Sequence, residues 1–441
     1  MPPDQERTLH DLRAGLTDAT PEAADALREA GLDPRRLAIH QFGRRDARYA
    51  IQQPWARRLG TGVMIWILLE IFEARLPAWI VALGSLVAGL LFIQTACDAF
   101  ITSTERMAAR LGWDHYVAGT VAEMLSTLPE FVVIAFVIPI SPLTAFVIAL
   151  ITIYNNAFVF SVYSFFLPKD QQGKFLMPAP ITEAGTQILI AGAAIGLSLG
   201  LVMIAFNGDD HPKDSFHAVD LIAIGFVLLS VFGVYVYKLV SSYAKEESLV
   251  ADSLSLTPEA VAERKALVYA HVHESSWALI CALFLAGVVG AVMGGERVAH
   301  FAHTAVDDLG LNNILTALIL AIFAGMSEYV ILWKSHRKGD YGIALANAFG
   351  GITQVMFLVL PYTLIAIGIY QQWINPGHPE VPIDFSLSNV FLLLFLFPTF
   401  FVLIELLEED HTLGILDTTI MTAIFALLIV LMVTYGASAP A

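Results

Sequence analysis

Runs of about 20 apolar residues recur along this chain from Thr61 almost to its C-terminus. As a helix, a run of that length crosses the hydrocarbon core of a bilayer. The composition agrees, because 57% of the residues are hydrophobic and only 15% are charged, against about a quarter in an ordinary soluble domain. Transmembrane β-strands would give shorter segments of alternating polarity. The sequence therefore predicts an all-α integral membrane protein and excludes a soluble fold.

The apolar runs predict about eleven transmembrane helices. The prediction of the first helix has the least support, because this apolar run is short and carries Glu70, Glu73 and Arg75 near its far end. The predicted spans are residues 61–76, 79–103, 114–137, 142–166, 181–206, 217–242, 275–294, 312–334, 341–370, 385–407 and 413–436.

Loop charges predict the orientation of these helices. Basic residues gather in alternate loops, for example Arg106 with Arg110 and Lys169 with Lys174. The positive-inside rule assigns these loops to the cytoplasm, with the N-terminus there and the C-terminus outside. We expect the protein in a cell membrane of the prokaryotic (inner-membrane) type.

The net charge of −16 argues against nucleic-acid binding. The expected partners are the lipid bilayer and inorganic cations, and the oligomeric state is open.

Two glutamates, Glu130 and Glu328, lie in the middle of apolar segments 198 residues apart, and neighbouring landmarks repeat at that offset. Ala88-Gly89 corresponds to Ala286-Gly287, and Leu111-Gly112 corresponds to Leu309-Gly310. Five helices separate the two copies, so the copies enter the membrane from opposite sides. This predicts two five-helix inverted-topology repeats plus an N-terminal extra helix. The predicted parts are an N-terminal cytoplasmic region 1–58, the extra helix 61–76, the first repeat 79–243, a cytoplasmic linker 244–274 and the second repeat 275–436.

The same glutamates are the candidate functional groups. An ionisable side chain at the bilayer centre costs at least about 2.5 kcal/mol and needs a partner or a function. Inverted repeats in transporters build their sites from interrupted helices, and here Pro129 precedes Glu130 and Gly325 precedes Glu328. Two converging carboxylates repel unless a cation or a proton neutralises them. We therefore predict one cation site formed by both glutamates.

Polar residues near the glutamates are candidate ligands, although a mid-membrane amide also serves as interhelical contact. Asn156 and Gln354 form a matched pair at the 198 offset. Oxygen ligands suit a hard cation such as Ca²⁺, which would be cargo, and no cofactor is expected. Glu123 is either an entry-path carboxylate or proton relay, or a residue at the membrane edge. The remaining candidates are Asn155, Thr353, Thr127, Ser327 and Asn347.

These motifs resemble the calcium/cation antiporter superfamily. STLPEF, ending on Glu130 and Phe131, is similar to the "GNAPEL" of its cation/proton exchanger branch and to the "TSLPE" of its sodium/calcium branch. In the second repeat GMSEY is similar to "GNAAEH", and GGITQVMFLVLP to "GSSIQIALFV-x-P", with Gln354 on the glutamine. The chain departs from the family at Thr127 and Met326, where the family carries asparagine. The resemblance is nearer to the proton-exchanger branch.

The resemblance implies a secondary active antiporter that exchanges Ca²⁺ for H⁺ by alternating access, with Na⁺/Ca²⁺ exchange as the alternative within the superfamily. Two readings from other classes remain, an intramembrane enzyme and a non-transporting membrane scaffold. The sequence contains no HExxH helix and no intramembrane aspartate pair, so we do not expect an enzyme.

Overall fold

A computed structural model describes most of the apolar part of the chain. The described residues are 54–111, 124–125, 127–170, 172–177, 181–206, 215–253, 276–311, 313–325, 328–329, 332–333, 336–337, 341–376, 383–409 and 411–436. The predicted N-terminal region 1–58 therefore lies almost wholly outside the described residues, as do Glu123 and Ser327.

Helices make up nearly all of the described structure. They are α1 Pro54–Phe72, α2 Ala78–Leu111, α3 Leu128–Val137, α4 Pro142–Ser164, α5 Thr186–Phe206, α6 Ala218–Ser253, α7 Trp277–His303, α8 Asn313–Ala324, α9 Tyr341–Gln354, α10 Leu360–Ile369, α11 Leu387–Leu394, α12 Leu396–Glu408 and α13 Ile415–Gly436. A 3₁₀ turn spans Glu73–Arg75, and π-helical turns span Ile181–Gly185, Thr304–Asp308, Val355–Val359 and Tyr370–Ile374. Four two-residue strands lie in loops, β1 Phe175–Leu176, β2 Ser215–Phe216, β3 Ile383–Asp384 and β4 Thr412–Leu413.

Eight helical stretches among the described residues are long and apolar enough to cross a membrane, and they fall on eight of the eleven predicted spans. The other three predictions, 61–76, 114–137 and 312–334, contain α1, α3 and α8. The eight stretches are Ala78–Thr104, Pro142–Ser164, Thr186–Phe206, Ala218–Lys238, Trp277–Val306, Asn347–Ile374, Leu387–Glu408 and Ile415–Thr434.

Helix α1 lies antiparallel along α2. Near its start, Arg58 donates to the Asp98 carboxylate at 3.0 Å. Toward its other end, Leu69 packs at Gly84, where an added Cβ would lie 2.9 Å from the leucine side chain. These contacts place α1 alongside α2 in spite of its charged ends, and its membrane crossing stays a prediction.

The strand pairs constrain the number of crossings. Phe175 of β1 pairs with Leu413 of β4, and Ser215 of β2 pairs with Asp384 of β3. Paired loop strands lie on one membrane face, so an even number of crossings must separate them. Five of the eight stretches lie between β1 and β4, and three lie between β2 and β3. Both numbers of membrane crossings are odd. Helix α8 lies between β1 and β4 and also between β2 and β3, so one more crossing there makes both numbers even. The pairs therefore support the predicted crossing at 312–334.

Helices α2 and α7 pack through small residues. A Cβ on Gly294 would lie 2.7 Å from Ile93 and 3.0 Å from the carbonyl oxygen of Gly89. Phe100 fills the space over Gly287. As residue numbers rise on α2 they fall on α7, so the two helices are antiparallel. Such close backbone approach is typical of membrane helix pairs with glycine at the contact.

The order of helices repeats along the chain. Equivalent helices begin 197 to 201 residues apart, at Ala78 and Trp277, Pro142 and Tyr341, Thr186 and Leu387, and Ala218 and Ile415. The first of these pairs is the antiparallel pair α2 and α7. These observations support the predicted repeat, and the inverted topology of the two complete halves stays a prediction.

Helix α4 and the stretch Asn347–Ile374 form the centre of the bundle. In an 18-residue apolar window of each, 83% and 72% of the window is buried, against 61% or less in the other six stretches. The start of α4 is defined by its sequence, because Ser141 accepts a hydrogen bond from the Thr144 N–H at 3.1 Å and Pro142 follows at the first helical position. The candidate amides Asn156 and Gln354 therefore lie on the two most buried elements.

Candidate cation site

Each glutamate follows a break in its helix. A turn at Thr127 precedes α3, which begins at Leu128, and a turn at Gly325 follows α8. These two turn residues are 198 residues apart, which is the offset of the predicted repeat. Backbone bonds cross both turns: the Glu130 and Phe131 N–H groups donate to the Thr127 carbonyl at 3.0 and 3.3 Å, and Tyr329 N–H donates to the Gly325 carbonyl at 3.1 Å. Glu130 thus lies in the first turn of α3, where the helix dipole favours negative charge.

Both carboxylates are buried, with 6% of Glu130 and 8% of Glu328 exposed. The Asn156 amide of α4 donates to Glu328 Oε2 at 3.2 Å. The Asn347 amide of α9 donates to the backbone carbonyl of Glu328 at 3.0 Å. The glutamate of the predicted second repeat is therefore held by an amide from the first repeat and by one from its own.

Tyr329 is a site residue that the sequence reasoning did not identify. Its hydroxyl accepts a hydrogen bond from the Asn155 amide. The hydroxyl lies over Gly325, where a Cβ would come within 2.6 Å of it. Tyr329 follows Glu328 directly along the chain and lines the same small cavity as that glutamate. The sequence signal that could have identified Tyr329 is its position directly after Glu328.

Gly351 of α9 was also missed. A Cβ at this position would lie 2.7 Å from Glu328 Oε2 and 2.8 Å from Asn156 Nδ2. Both distances are well below ordinary van der Waals contact. The contact between Glu328 and Asn156 therefore depends on the absence of a side chain at residue 351.

Two buried oxygens of the site, Glu130 Oε2 and Asn156 Oδ1, have no hydrogen-bond partner among the described residues. A buried polar atom without a partner costs about 1–3 kcal/mol, so such atoms point to a ligand. A small cavity adjoins Asn156 and Glu328, and its space for the centre of a water molecule is about 10 Å³. That is room for roughly one water or one bare cation. The cavity is lined by Asn156, Val159, Glu328, Tyr329, Leu332, Asn347 and Ala348.

The other candidates divide into three groups. Thr127 and Thr353 are buried, and their hydroxyls donate to the carbonyls of Met124 at 2.7 Å and Gly350 at 3.1 Å, within their own chain segments. Gln354 is 5% exposed and ends α9, directly before the π-helical turn Val355–Val359, a feature that often marks functional positions in helices. Ser327 and Glu123 lie outside the described residues, and their roles stay predictions.

The fold and this geometry define a class of protein: a helical membrane protein with two buried carboxylates at helix breaks, in the manner of secondary transporters. The comparisons narrow the class. Residues 279–434 match the model of the sodium/calcium exchanger protein family, and this range covers most of the predicted second repeat. No curated protein matches the chain by sequence.

Solved structures of ion exchangers share the fold. The H⁺/Ca²⁺ exchanger CAX has 13% sequence identity and a TM-score of 0.57 over 87% of this chain and 93% of CAX. Native YfkE, a Ca²⁺/H⁺ antiporter, has 12% identity and a TM-score of 0.57 over 86% of this chain and 99% of YfkE. The sodium-calcium exchanger NCX_Mj has 16% identity and a TM-score of 0.47 over 79% of this chain and 97% of its own.

The family match and the shared fold confirm the superfamily predicted from the sequence. The match over residues 279–434 supports the calcium/cation antiporters and the solved structures support their fold, whereas the Ca²⁺/H⁺ branch stays a prediction. The matched family and the neighbours in fold are ion exchangers and not enzymes.

Proposed function

We propose that the protein is a secondary active antiporter that exchanges Ca²⁺ for H⁺, with Glu130 and Glu328 binding the two ions alternately. One observation carries the proposal. Two buried carboxylates follow helical turns 198 residues apart, and two oxygens of the site, Glu130 Oε2 and Asn156 Oδ1, have no partner among the described residues. Carboxylate and amide oxygens are the ligands that Ca²⁺ takes in proteins.

The chemistry follows from charge balance. Two ionised carboxylates in a bundle core are unfavourable unless they are neutralised. One divalent cation neutralises both, and so do two protons. Loading the site with one of these and releasing the other makes the exchange obligatory, because the empty site with two bare charges is the state of highest energy.

Alternating access would come from movement of one repeat against the other around the site. The contact between Asn156 and Glu328 joins the two predicted repeats at the carboxylate itself. Changing the ion at Glu328 would then change a contact between the repeats. We expect the N-terminus on the cytoplasmic side and the C-terminus outside, as the loop charges predict.

Na⁺ is the second candidate for the counter-ion, because the model that residues 279–434 match is that of sodium/calcium exchangers. Transport by the purified protein in proteoliposomes, with a Ca²⁺ gradient and no Na⁺, distinguishes H⁺ from Na⁺ as the counter-ion. Proton efflux coupled to Ca²⁺ uptake, read with an internal pH dye, is expected for H⁺ exchange. Ca²⁺ uptake that requires internal Na⁺ and moves no protons would show that the counter-ion is Na⁺ and not H⁺.

The site assignment has its own test. Glu130→Gln and Glu328→Gln keep the shape of each side chain and remove the charge, so each should reduce Ca²⁺ exchange by at least about 100-fold, since a buried charge pair that loses a partner costs roughly 3–5 kcal/mol. Glu70→Gln is the matched control, because Glu70 is an exposed glutamate on α1. Cation exchange at the wild-type rate in both site variants would favour a scaffold or a different site.

A further inference from the structure

The backbone beside Glu130 is held by a residue of the predicted second repeat. The carbonyl of Phe131, near the start of α3, accepts a hydrogen bond from the Tyr362 hydroxyl of α10 at 3.2 Å. The two rings also stack, with their centroids 4.5 Å apart and their planes inclined by 24°. Stacked aromatic pairs contribute stability beyond the area that they bury. Tyr362 therefore contacts Phe131 in two ways, and only one of them needs its hydroxyl.

The position of the Glu130 carboxylate depends on the backbone that carries it. The N–H groups of Glu130 and Phe131 both donate to the Thr127 carbonyl, and Tyr362 holds the carbonyl of Phe131. The Glu130 side chain is buried, and its Oε2 has no partner among the described residues. A shift of the backbone at Phe131 therefore shifts the carboxylate with it.

Tyr362 belongs to the same buried stretch that contacts the other glutamate. This stretch, Asn347–Ile374, is helical throughout and includes part of α9 and all of α10. At its start the Asn347 amide donates to the backbone carbonyl of Glu328 at 3.0 Å. Further along the same stretch, Tyr362 donates to the backbone carbonyl of Phe131. One element therefore contacts the backbone at Glu328 and directly after Glu130.

The two supporting side chains have no equivalent in the sequence of the predicted first repeat. At the offset of 198 residues, Asn347 and Tyr362 correspond to Ala149 and Ser164 of α4. Alanine has no polar side-chain atom, and serine is much shorter than tyrosine, so neither can reach as its counterpart does. The support of both glutamates by one element is therefore a feature of the second repeat alone, which the repeat pattern does not explain.

We propose that Tyr362 is a positioning residue for Glu130. Through the Phe131 backbone it sets where the Glu130 carboxylate lies relative to Glu328, and so which divalent cation the two carboxylates fit. The inference rests on the proposed function, because it concerns the cation site of that exchange. Ligand distances are about 2.3–2.6 Å for Ca²⁺ and about 2.0–2.1 Å for Mg²⁺, so a carboxylate shift of a few tenths of an ångström is enough to change the preference.

The variant Tyr362→Phe removes the hydroxyl and keeps the ring that stacks on Phe131. Tyr237→Phe makes the same change on α6, where the tyrosine is 76% exposed, and serves as the matched control. Loss of one neutral hydrogen bond changes an equilibrium constant by a factor of about 2 to 10. We therefore expect Tyr362→Phe to raise half-saturating Ca²⁺ in proteoliposome uptake by that factor, with the maximal rate within about twofold of wild type.

Two further measurements separate positioning from a general loss of stability. The ratio of the half-saturating concentrations of Ca²⁺ and Sr²⁺ should change in Tyr362→Phe and stay at the wild-type value in Tyr237→Phe, because unfolding lowers the amount of active protein and not its preference. In a double-mutant cycle, Glu130→Asp keeps the charge and already retracts the carboxylate by one methylene. Adding Tyr362→Phe should then raise half-saturating Ca²⁺ by less than about twofold more, since the effects of residues that act through one another do not add.

Failure of the two proposals gives different results. If the wild-type protein exchanges no cations in proteoliposomes, the proposed function fails, and titration calorimetry of Ca²⁺ binding to the purified protein still compares the variants. If the wild-type protein exchanges Ca²⁺ and Tyr362→Phe keeps its half-saturating Ca²⁺ and its Ca²⁺/Sr²⁺ ratio, only the role of Tyr362 fails, even where its melting temperature falls. Additive effects of Tyr362→Phe and Glu130→Asp would also overturn that role, because Tyr362 would then act independently of Glu130.

Discussion

The substitution Gly351→Ala tests the geometry of the site with a single methyl group. Its Cβ would lie 2.7 Å from Glu328 Oε2 and 2.8 Å from Asn156 Nδ2. Ordinary contact begins at 3.4 Å, so both groups must move outward by roughly two-thirds of an ångström, and their 3.2 Å hydrogen bond is lost. A hydrogen bond to a charged group contributes about 1.5–3 kcal/mol, and about 1.4 kcal/mol corresponds to a factor of ten. We therefore expect half-saturating Ca²⁺ to rise about 10- to 100-fold.

The assay is Ca²⁺ uptake into proteoliposomes over a range of Ca²⁺ concentrations, together with thermal unfolding of the purified protein. Alanine is about 1 kcal/mol more favourable than glycine inside a helix, so the backbone should not be destabilised by the change. Gly233→Ala is the matched control, because an added Cβ there meets no atom within 4 Å. Unchanged half-saturation in Gly351→Ala, with Gly233→Ala also unchanged, would refute the contact between Gly351 and the Glu328–Asn156 pair.

Three further outcomes follow from the structure. Gly294→Val places atoms against Ile93 and the Gly89 carbonyl. Overpacking of this kind should lower the free energy of unfolding by about 1–3 kcal/mol. Melting curves in detergent measure this loss, with Gly233→Val as the control. His411 has a φ of 55°, so His411→Val should lower the melting temperature, at a cost of about 1–2 kcal/mol, whereas His411→Gly should not. Acidifying the Ca²⁺ side should raise half-saturating Ca²⁺, because protons and the cation compete for the same carboxylates; a pH-independent value in uptake assays would contradict this competition.

Sequence reasoning succeeded where the physical signal is local. Apolar runs identify membrane helices because the bilayer imposes a length and a polarity, and eight of eleven predictions coincide with such helices. Pro129 and Gly325 identified the helix breaks, since proline and glycine act on their own backbone. Two of the other predictions, 61–76 and 312–334, draw support from the Arg58–Asp98 contact and from the strand pairs, respectively.

What the sequence could not supply is contact between distant residues. Asn156 and Gln354 are equivalent in the repeat, and nothing in the sequence says that Asn156 donates to the glutamate of the other half. Tyr329 and Gly351 matter because of what surrounds them in space. The strand pairs are two residues long and join segments more than 160 residues apart, which is too short a pattern to predict.

The unequal surroundings of the two glutamates bear on how the transporter would be biased. If the two halves exchange conformations during transport, identical halves would make the two orientations equal in free energy. The halves differ at the site: Glu328 Oε2 accepts from Asn156, whereas Glu130 Oε2 is buried with no partner in the described part of the chain. Tyr329 corresponds to Phe131, which has no hydroxyl and instead stacks on Tyr362 at 4.5 Å. An ion shifts the equilibrium only by its different affinity for the two orientations. In the proposed antiporter, these unmatched positions would therefore set the preferred orientation and the side from which the cation is taken up.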